Sequence, residues 1–514
     1  MIRKALFLAS GILLGFSCQP TSKLGQLGQQ EQIPPHESRK TLFPFAELVS
    51  AFDQAVQPGE SFGMPADKIP YPDTYWPMID NGLLVNWLEK DGTLCETVPT
   101  DSAKAIARFG RDVTPDDDDD EVHACNNPQP SPLEKVMGIT RPEKLADAMA
   151  WEQRFHGIDV LGVAPWFGHC PGWAGSTHIH APLDGPAFAK SDGLGGLTGC
   201  APGELGCVKF EIGDINALQS EIFEGAESKF IGARCDKKLE DIQRDEFGRI
   251  IDEGCDGVNF GALLIIAATS FQQEGRPFNI DAQEEFNTAE IWNQPAFRYT
   301  IHSSTGLTET EASERVASGA PERSDRFDGR TLANYSTINP NAKGWALVDM
   351  SLHWVAETSG PNTERVSGAL TAQKTRMVGI VELDKPFGEA GAEIIGGELL
   401  DDPFVGASRL KNQPFIWVAD GPSPDVPEFQ ESPTVKRRRN PYLKVPHVNK
   451  LIELSRAQSL KRGDRGTDTE KTCSDIQAEF VSCLGGQSAF ECVSQLGNGD
   501  HQQGLTILKD CNLD

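Results

Sequence analysis

The stretch APWFGHCPGWAG, residues 164–175, sets one cysteine, Cys170, among aromatic residues and glycines. A cysteine attacks acyl groups as its thiolate, and the ordinary pKa of the thiol is about 8.5. A helix N-terminus stabilises the thiolate, and Pro171 suits the first position of a helix. The pattern therefore predicts Cys170 at a helix N-terminus, as a candidate nucleophile. The competing interpretation is a buried or disulfide-bonded cysteine in an aromatic loop.

The cysteine count bears on that choice. The chain has twelve cysteines, and setting Cys18 aside leaves an odd number, so one thiol is left over if all the others pair. Four can close two bridges near the C-terminus: Cys473, Cys483, Cys492 and Cys511. The remaining ones are Cys95, Cys125, Cys170, Cys200, Cys207, Cys235 and Cys255. Local chemistry favours Cys170 as the thiol left over, and Cys235 with Cys255 is the preferred pair because both flank one loop.

A thiol nucleophile also needs a base, and usually a third group that orients the base. His169 is adjacent to Cys170 and is expected to point elsewhere. His178 and His180, in GSTHIHAPL, could bind a metal on a strand, but no third ligand is visible, so a surface pair is the preferred interpretation and no metal ligand is predicted. His302, in FRYTIHSS, lies on a predicted strand and could face a cleft, although a strand histidine is more often structural.

Composition limits the class of protein. The chain has 514 residues, 39% hydrophobic residues and a formal net charge of −28, which suits a soluble globular protein and argues against nucleic acid as a partner. Its many cysteines fit an oxidising compartment. The acidic stretch TPDDDDDEVHAC, residues 114–125, is interpreted as a solvated turn because its spacing is not that of an EF-hand. No cofactor is predicted, and calcium dependence is left open.

The N-terminus indicates export. Residues 1–18 contain Arg3 and Lys4, then a short apolar run, and end at Cys18, as expected of a signal peptide of the lipoprotein type. Ordinary secretion and an uncleaved anchor are the alternatives. Residues 19–40 suit a flexible tether. We therefore expect an outer-membrane or cell-surface lipoprotein, or otherwise a periplasmic or secreted protein, with membrane contact only through a lipid at Cys18.

Hydrophobic periodicity gives the fold class. Residues 345–355 and 375–384 alternate as strands, residues 214–227 repeat apolar residues at helical spacing from an N-cap at Asp214, and residues 261–273 suit a buried helix. Helices early and strands late predict an α+β fold rather than a doubly wound sheet.

Domain boundaries follow from shifts in composition. The predicted order is a signal peptide at 1–18, a tether at 19–40, one domain at 41–425, a charged linker at 426–470 and a cysteine-rich helical hairpin at 471–514. The hairpin is too small to bury a core alone, so two disulfides would staple it. The basic run KRRR, residues 436–439, is interpreted as solvated linker, with docking on the acidic body as the alternative.

Several stretches together resemble one known family. They are GHCPGWAG (168–175), GDINALQSEIF (213–223), GARCDKKLEDIQRDEFGR (232–249), CDGVNFGALLI (255–265), AEIWNQPAFRY (289–299), IIGGELLDD (394–402) and NQPFIWVADGP (412–422). In this order they resemble the blocks of the transglutaminase elicitor family, known from oomycete cell-wall proteins and bacterial relatives. WNQP is the most specific, and we interpret it as structural, with Asn293 and Gln294 bonding the backbone. The resemblance implies a thiol-enzyme core, papain- or transglutaminase-like, with an antiparallel sheet.

The resemblance also implies an activity, that of a protein-glutamine γ-glutamyltransferase. The Cys170 thiolate would attack a glutamine carboxamide, release ammonia and form a thioester, which a lysine amine would resolve. Trp166 and Trp173 could exclude water and so favour the amine. The implied partners are proteins with exposed Gln and Lys. A thiol amidase or peptidase would differ only in the acceptor.

One departure from the family pattern affects this expectation. The family block that matches VNFGALLI carries proline where Phe260 stands and histidine near Leu264, and leucine cannot take a proton. His302 is the predicted substitute base, and Asp281, which precedes WNQP, is the predicted orienting carboxylate. If no histidine substitutes, the chain would be a catalytically impaired binding or structural exported protein with the same fold.

Overall fold

The computed structural model describes residues 48–99, 121–157, 167–232, 258–282, 291–318, 341–400 except 359, 415–425, 428 and 438–461. The predicted signal peptide, the tether and the C-terminal hairpin lie outside these residues. The chain divides into two compact units, residues 1–454 and 455–514, and only 455–461 of the second are described, as the end of a helix. Across the described ranges, no helix combines the length and the apolar character that a bilayer crossing needs.

The main sheet has eight strands in the order β12-β11-β10-β9-β8-β13-β7, with β1 added beside β9, and its pairs are antiparallel. The strands are β1 (Ser61–Gly63), β2 (Glu96–Pro99), β3 (Glu121–Ala124), β4 (Ala187–Ser191), β5 (Leu197–Gly199), β6 (Val208–Phe210), β7 (Ser228–Gly232), β8 (Phe278–Asp281), β9 (Asn293–Leu307), β10 (Gly344–Val355), β11 (Ala372–Leu383), β12 (Ile394–Leu400) and β13 (Phe415–Ala419). Two smaller sheets consist of β2-β3 and β5-β4-β6.

The helices precede, interrupt and follow the sheet. They are α1 (Phe52–Ala55), α2 (Pro132–Thr140), α3 (Leu145–Phe155), α4 (Cys170–Ser176), α5 (Ile212–Phe223), α6 (Phe260–Ala268), α7 (Glu309–Ser318) and α8 (Val445–Lys461). Short 3₁₀ turns span Ala66–Lys68, Met78–Asp80, Gly82–Leu84 and Pro142–Lys144. The α+β class with an antiparallel sheet is therefore confirmed.

Alternation produces the central strands, as the sequence predicts. In β10, Val348, Met350 and Leu352 are buried on one face, whereas Asp349 on the other face pairs with Arg376 of β11. Apolar side chains at every second residue place one face of a strand against the core. This face of the sheet lies against α6, the helix that the sequence predicts as buried. Helix α6 continues into a π-helical turn, Thr269–Glu274.

Helix α5 begins earlier than its sequence predicts. Its N-cap is Glu211, and Asp214 is the third residue, whose carboxylate accepts a hydrogen bond from the Glu211 N–H at 2.9 Å. An acidic side chain three residues after the cap completes a capping box, which explains the difference. Asp214 also pairs with the buried Lys135 ammonium at 2.6 Å.

The described residues include two local disulfides. Cys95 and Cys125 flank the β2-β3 hairpin, and Cys200 and Cys207 close the loop between β5 and β6. The preferred pair Cys235–Cys255 and the four C-terminal cysteines lie outside the described residues. Disulfide bonding itself is confirmed.

The basic run predicted as solvated linker contributes a buried residue. Arg439 is 1% exposed, and its guanidinium donates to Ser423 O at 3.0 Å, to Leu443 O at 2.5 Å and to the carboxylate of Asp425. A guanidinium has five donors, so it can be buried when carbonyl and carboxylate oxygens satisfy them. Arg439 is thus buried rather than solvated.

Helices α4 and α5 approach closely, and a glycine permits the approach. A Cβ at Gly172 would collide with the backbone carbonyl of Ser220 in α5. The other glycine of α4, Gly175, has only ordinary van der Waals neighbours, the nearest being Ala419 Cβ at 3.4 Å. The position of α4 on the protein therefore depends on the absent side chain at Gly172.

We expect Gly172→Ala to lower the free energy of unfolding by about 1–3 kcal/mol, because overpacking separates the two helices. Gly175→Ala is the matched control in the same helix and should change stability far less. Denaturant unfolding of both variants measures the difference. Equal losses in the two variants would show that the close approach at Ser220 does not matter.

Candidate active site

Cys170 is the first residue of α4, and His169 is its N-cap. The sulfur therefore lies at a helix N-terminus, as the sequence predicts, although Pro171 occupies the second helical position rather than the first. Among the cysteines that the structure describes, Cys170 is the one outside a disulfide, and it is 3% exposed. The helix end favours negative charge on the sulfur, whereas the burial opposes it.

A brace segment, residues 71–78, holds both ends of this helix. The Tyr71 hydroxyl hydrogen-bonds the Ser176 hydroxyl at the C-terminal end, and Trp173 Nε1 donates to Tyr71 O at 3.0 Å. At the other end, the His169 N–H donates to Tyr75 O at 2.5 Å. Trp173 is fully buried, so it packs in the core and does not line an opening as a water-excluding wall. Trp166, predicted for the same role, lies outside the described residues.

The brace segment also carries a buried carboxyl, Asp73. Its Oδ2 accepts a hydrogen bond from Trp76 Nε1 at 3.1 Å, whereas Oδ1 has no hydrogen-bond partner. Burial raises the pKa of Asp73 to about 8, against the opposing effect of the Trp76 bond. The carboxyl is therefore protonated in the folded protein at neutral pH.

The described polar side chain that reaches the Cys170 sulfur belongs to Asn293, the first residue of β9. Its Nδ2 lies 3.7 Å from Sγ, and its Oδ1 accepts a hydrogen bond from Trp417 Nε1 at 2.8 Å. An indole N–H can only donate, so the amide oxygen must face Trp417 and the amide NH₂ must face the sulfur. A donor directed at sulfur favours the thiolate. These two contacts of the Asn293 amide are with side chains, whereas the sequence interpretation named the backbone as its partner.

Asp281 lies next to this contact. It ends β8 and is the register partner of Asn293, so their side chains share one face of the sheet with Cβ atoms about 5 Å apart. Asp281 is 8% exposed, and its Oδ1 accepts a hydrogen bond from the Trp292 N–H at 3.1 Å. Asp281 thus lies at the candidate site, as predicted. Its neighbour there is Asn293 and not the predicted base, His302.

The structure does not bring His302 to the sulfur. His302 follows Asn293 by nine residues in the continuous strand β9, which corresponds to about 30 Å along the strand. Its ring is exposed, and Nε2 lies 2.7 Å from the Ser351 hydroxyl oxygen. The predicted substitution of His302 for a missing base is therefore corrected, because one strand cannot place both residues at one site.

Leu264 offers no base either. It lies in α6, whose residues from Phe260 to Ala268 are all buried in the core. A hydrocarbon side chain at this position contributes only to packing.

His178 is connected to the site indirectly. It lies in the turn after α4, not on the strand that the sequence suggested, and its Nδ1 accepts a hydrogen bond from the Ala419 N–H at 2.8 Å. Its ring packs 5.8 Å from the Trp417 ring, which in turn holds Asn293. Burial, followed by the charge of Arg276, lowers the pKa of His178 to about 3, so the imidazole is neutral at physiological pH.

His169 points away from the sulfur, as the sequence predicts. Its ring enters a buried group of carboxylates, with Nδ1 3.2 Å from Glu221 Oε2 and Nε2 3.6 Å from Glu152 Oε1. The His169 ring thus contacts the carboxylates, whereas the Asn293 amide contacts the sulfur of the next residue, Cys170.

The chain matches one family model. The family model described as transglutaminase elicitor matches residues 60–429, which include Cys170, Asp281 and Asn293. The chain belongs to the transglutaminase elicitor family. This confirms the resemblance that the sequence motifs indicate.

A solved structure gives a more distant comparison. The crystal structure of the GP42 transglutaminase from Phytophthora sojae matches at 17% sequence identity and a TM-score of 0.49, over 80% of this chain and 95% of that chain. No curated protein matches the chain.

Asn293 and Trp417 are the site residues that sequence reasoning misses. Asn293 lies in WNQP, the most specific family motif, and Trp417 lies in the NQPFIWVADGP block. The presence of both residues in family blocks was a signal that they could share a site. The sheet order is what shows that Asn293 and Trp417 meet.

We expect Asn293→Asp to slow alkylation of Cys170 by more than about tenfold at neutral pH. A carboxylate 3.7 Å from the sulfur replaces a donor with a like charge, and at an effective dielectric constant of 20 this is worth about 4 kcal/mol. The measurement is the rate of iodoacetamide labelling at Cys170. Asn86→Asp, whose amide donates to Gln129 O at 2.9 Å outside the main sheet, is the control and should leave the rate nearly unchanged. A similar rate for Asn293→Asp and wild type would exclude the amide contact as an influence on the thiol.

Asp73→Asn should flatten the pH dependence of stability. The folded-state pKa of about 8 exceeds the ordinary value of 3.8, so unfolding releases a proton between these values and stability falls as pH rises. Removing this group should reduce the fall by about 1.4 kcal/mol per pH unit within the window.

Denaturant unfolding of wild type and of Asp73→Asn between about pH 4.5 and 7.5 would measure this slope. This range lies between the unfolded-state and folded-state pKa values of Asp73. The control is Asp91→Asn, because hydrogen bonds from Thr93 hold the pKa of the exposed Asp91 carboxyl below its usual value. Asp91 is ionised in both states across the window, so its variant should keep the wild-type slope. An unchanged slope for Asp73→Asn would contradict a protonated Asp73.

Proposed function

We propose that the protein is a protein-glutamine γ-glutamyltransferase with Cys170 as its nucleophile. The observation that carries the proposal is the contact between the Cys170 sulfur, at the start of α4, and the Asn293 amide that Trp417 holds in place. Membership of the transglutaminase elicitor family supports it.

The proposed reaction has two steps. The Cys170 thiolate attacks the carboxamide carbon of a glutamine, the C–N bond breaks, and the nitrogen leaves as ammonia after it takes a proton. The thioester then reacts with a lysine amine, which loses a proton as the isopeptide bond forms and the sulfur leaves as thiolate.

We assign the proton transfers to Asp281. It is the titratable side chain that the sheet places beside the Cys170–Asn293 pair, and a carboxylate can accept and return a proton. Asp281→Asn should therefore reduce turnover while Cys170 still labels with a small alkylating reagent.

The proposed setting is outside the cytoplasm. Twelve cysteines, with disulfides at Cys95–Cys125 and Cys200–Cys207, suit an oxidising compartment, and the N-terminal segment ending at Cys18 suits export with a lipid anchor. The substrates are proteins with exposed Gln and Lys, and neither nucleic acid nor a membrane beyond the anchor is a partner.

A second candidate function is that of a non-catalytic binding or structural protein. Leu264 lies in the core, and His302 lies nine residues along β9 from Asn293, so neither predicted position supplies an imidazole to Cys170. This candidate keeps the fold and the thiol and has no turnover.

Incorporation of a fluorescent primary amine into a glutamine-bearing protein tests the proposal. Wild type should incorporate the amine and release ammonia, and Cys170→Ser should reduce both to background, because a serine hydroxyl is a far weaker nucleophile than a thiolate. The control is the double variant Cys200→Ser/Cys207→Ser, which removes two cysteines in a distant loop and should retain activity.

The outcomes separate the candidates. Ammonia release or peptide cleavage without amine incorporation would identify a thiol amidase or peptidase. If folded wild-type protein neither incorporates amine nor releases ammonia or cleaved peptide with a panel of glutamine-bearing proteins, the non-catalytic function is supported.

A further inference from the structure

A buried group of acidic and imidazole side chains lies behind the α4 N-terminus. Its members are Glu152 of α3, His156 at the C-cap of α3, His169 at the N-cap of α4, and Glu221 of α5, all with 0–1% exposure. A fifth side chain, Glu224, follows α5 and approaches His169 Nδ1 at 3.8 Å. No lysine or arginine forms an ion pair with the three glutamates in the part of the chain that the structure describes.

The spacing of the donor atoms fits one metal ion. One ligand atom from each of Glu152, His156, His169 and Glu221 lies within 4.8 Å of all the others. Glu221 Oε2 is 3.2 Å from Nδ1 of both histidines, and Glu152 Oε1 is 3.8 Å from His156 Nδ1. Tetrahedral ligands bound at 2.0–2.1 Å are about 3.3–3.4 Å apart, so these distances need little adjustment.

Several of these atoms lack hydrogen-bond partners. They are both ring nitrogens of His169, Nε2 of His156, Oε1 of Glu152 and Oε2 of Glu224. Buried polar atoms are normally hydrogen-bonded, and leaving one without a partner costs about 1–3 kcal/mol. One ion can bind Glu152 Oε1 and one ring nitrogen of His169, so a bound ion would satisfy two of these atoms.

We propose that Glu152, His156, His169 and Glu221 form a binding site for one divalent transition-metal ion. Two carboxylates neutralise the charge of the ion, which lowers the cost of burying it. A site with two imidazoles and two carboxylates suits zinc, iron, manganese or nickel, whereas calcium and magnesium prefer oxygen ligands only.

Outer contacts orient the carboxylates as they do in known metal sites. Asn440 Nδ2 donates to Glu152 Oε2 at 2.9 Å, and the Asn440 N–H donates to Glu221 Oε1. Each carboxylate therefore has one oxygen held by Asn440 and the other directed at the histidines. Gly82 lies against the same space, where a Cβ would come within 3.1 Å of His169 Nε2.

The site would also position the candidate nucleophile. His169 is the residue before Cys170, so an ion bound to its ring ties the α4 N-terminus to α3 and α5. The metal would be a structural ion that touches no reacting atom, and it is independent of whether the protein is a transferase.

The test is metal analysis of the full-length protein. Mass spectrometry of the purified wild type should find about one transition-metal ion per chain, and the chelator-stripped protein should rebind Zn²⁺ with a higher melting temperature. His156→Gln and Glu152→Gln should weaken Zn²⁺ binding by at least about 100-fold. His353→Gln and Glu382→Gln, outside the group, are the matched controls and should bind as wild type does.

Wild type alone also tests the proposal if the variants fail to fold. Co²⁺ added to the stripped protein should give the intense visible absorption of a tetrahedral site, and Zn²⁺ should abolish it by competition. The proposal is overturned if folded wild type holds no transition metal and rebinds none, or if the His156 and Glu152 variants bind as tightly as the controls. These readouts do not depend on transamidation, so they succeed or fail separately from the proposed function.

Discussion

The candidate site depends on a single hydrogen bond between two strands, from the Trp417 indole to the Asn293 amide oxygen. Because the indole can only donate, the bond decides which end of the amide faces the sulfur. The register of the sheet supplies the geometry: Trp417 is the partner of Asn279 across β13 and β8, and Asn293 is the partner of Asp281 across β8 and β9. A slip of one residue in either pair would turn these side chains to the opposite face. The chemistry of Cys170 is therefore set by the sheet as much as by its own helix.

The helix that carries Cys170 is held by contacts that leave it little freedom. The brace segment bonds both of its ends, and Gly172 lets it lie directly on the backbone of α5. Buried glutamates lie around His169, the residue at the N-cap of this helix. Such groups lower stability unless partners satisfy them, so their presence around one short helix is a cost that the large apolar core must offset.

Local patterns predict the elements, whereas the site depends on long-range contacts. Alternation in residues 345–355 predicts β10, and the residues around Cys170 predict its helix N-terminus, because both are properties of neighbouring residues. Asn293 is 123 residues from Cys170, and its role depends on sheet order, which the sequence does not contain. His302 is correctly expected on a strand, but its distance along that strand is not visible. Glu152 and His156 are four residues apart on one helix, yet their partners come from α4 and α5, so no local spacing predicts the group.

The two disulfides have a consequence for how the chain matures. Cys95 and Cys125 are 30 residues apart and Cys200 and Cys207 are 7 apart, and each pair flanks strands that are neighbours in sequence. Such pairs meet early during oxidative folding, because short loops close fastest. Cys170 meets Asn293, 123 residues along the chain, only when the sheet that contains β9 assembles, and the Cys170 side chain is then 3% exposed. The order of assembly thus gives Cys170 a way to escape pairing with the four cysteines of these local disulfides.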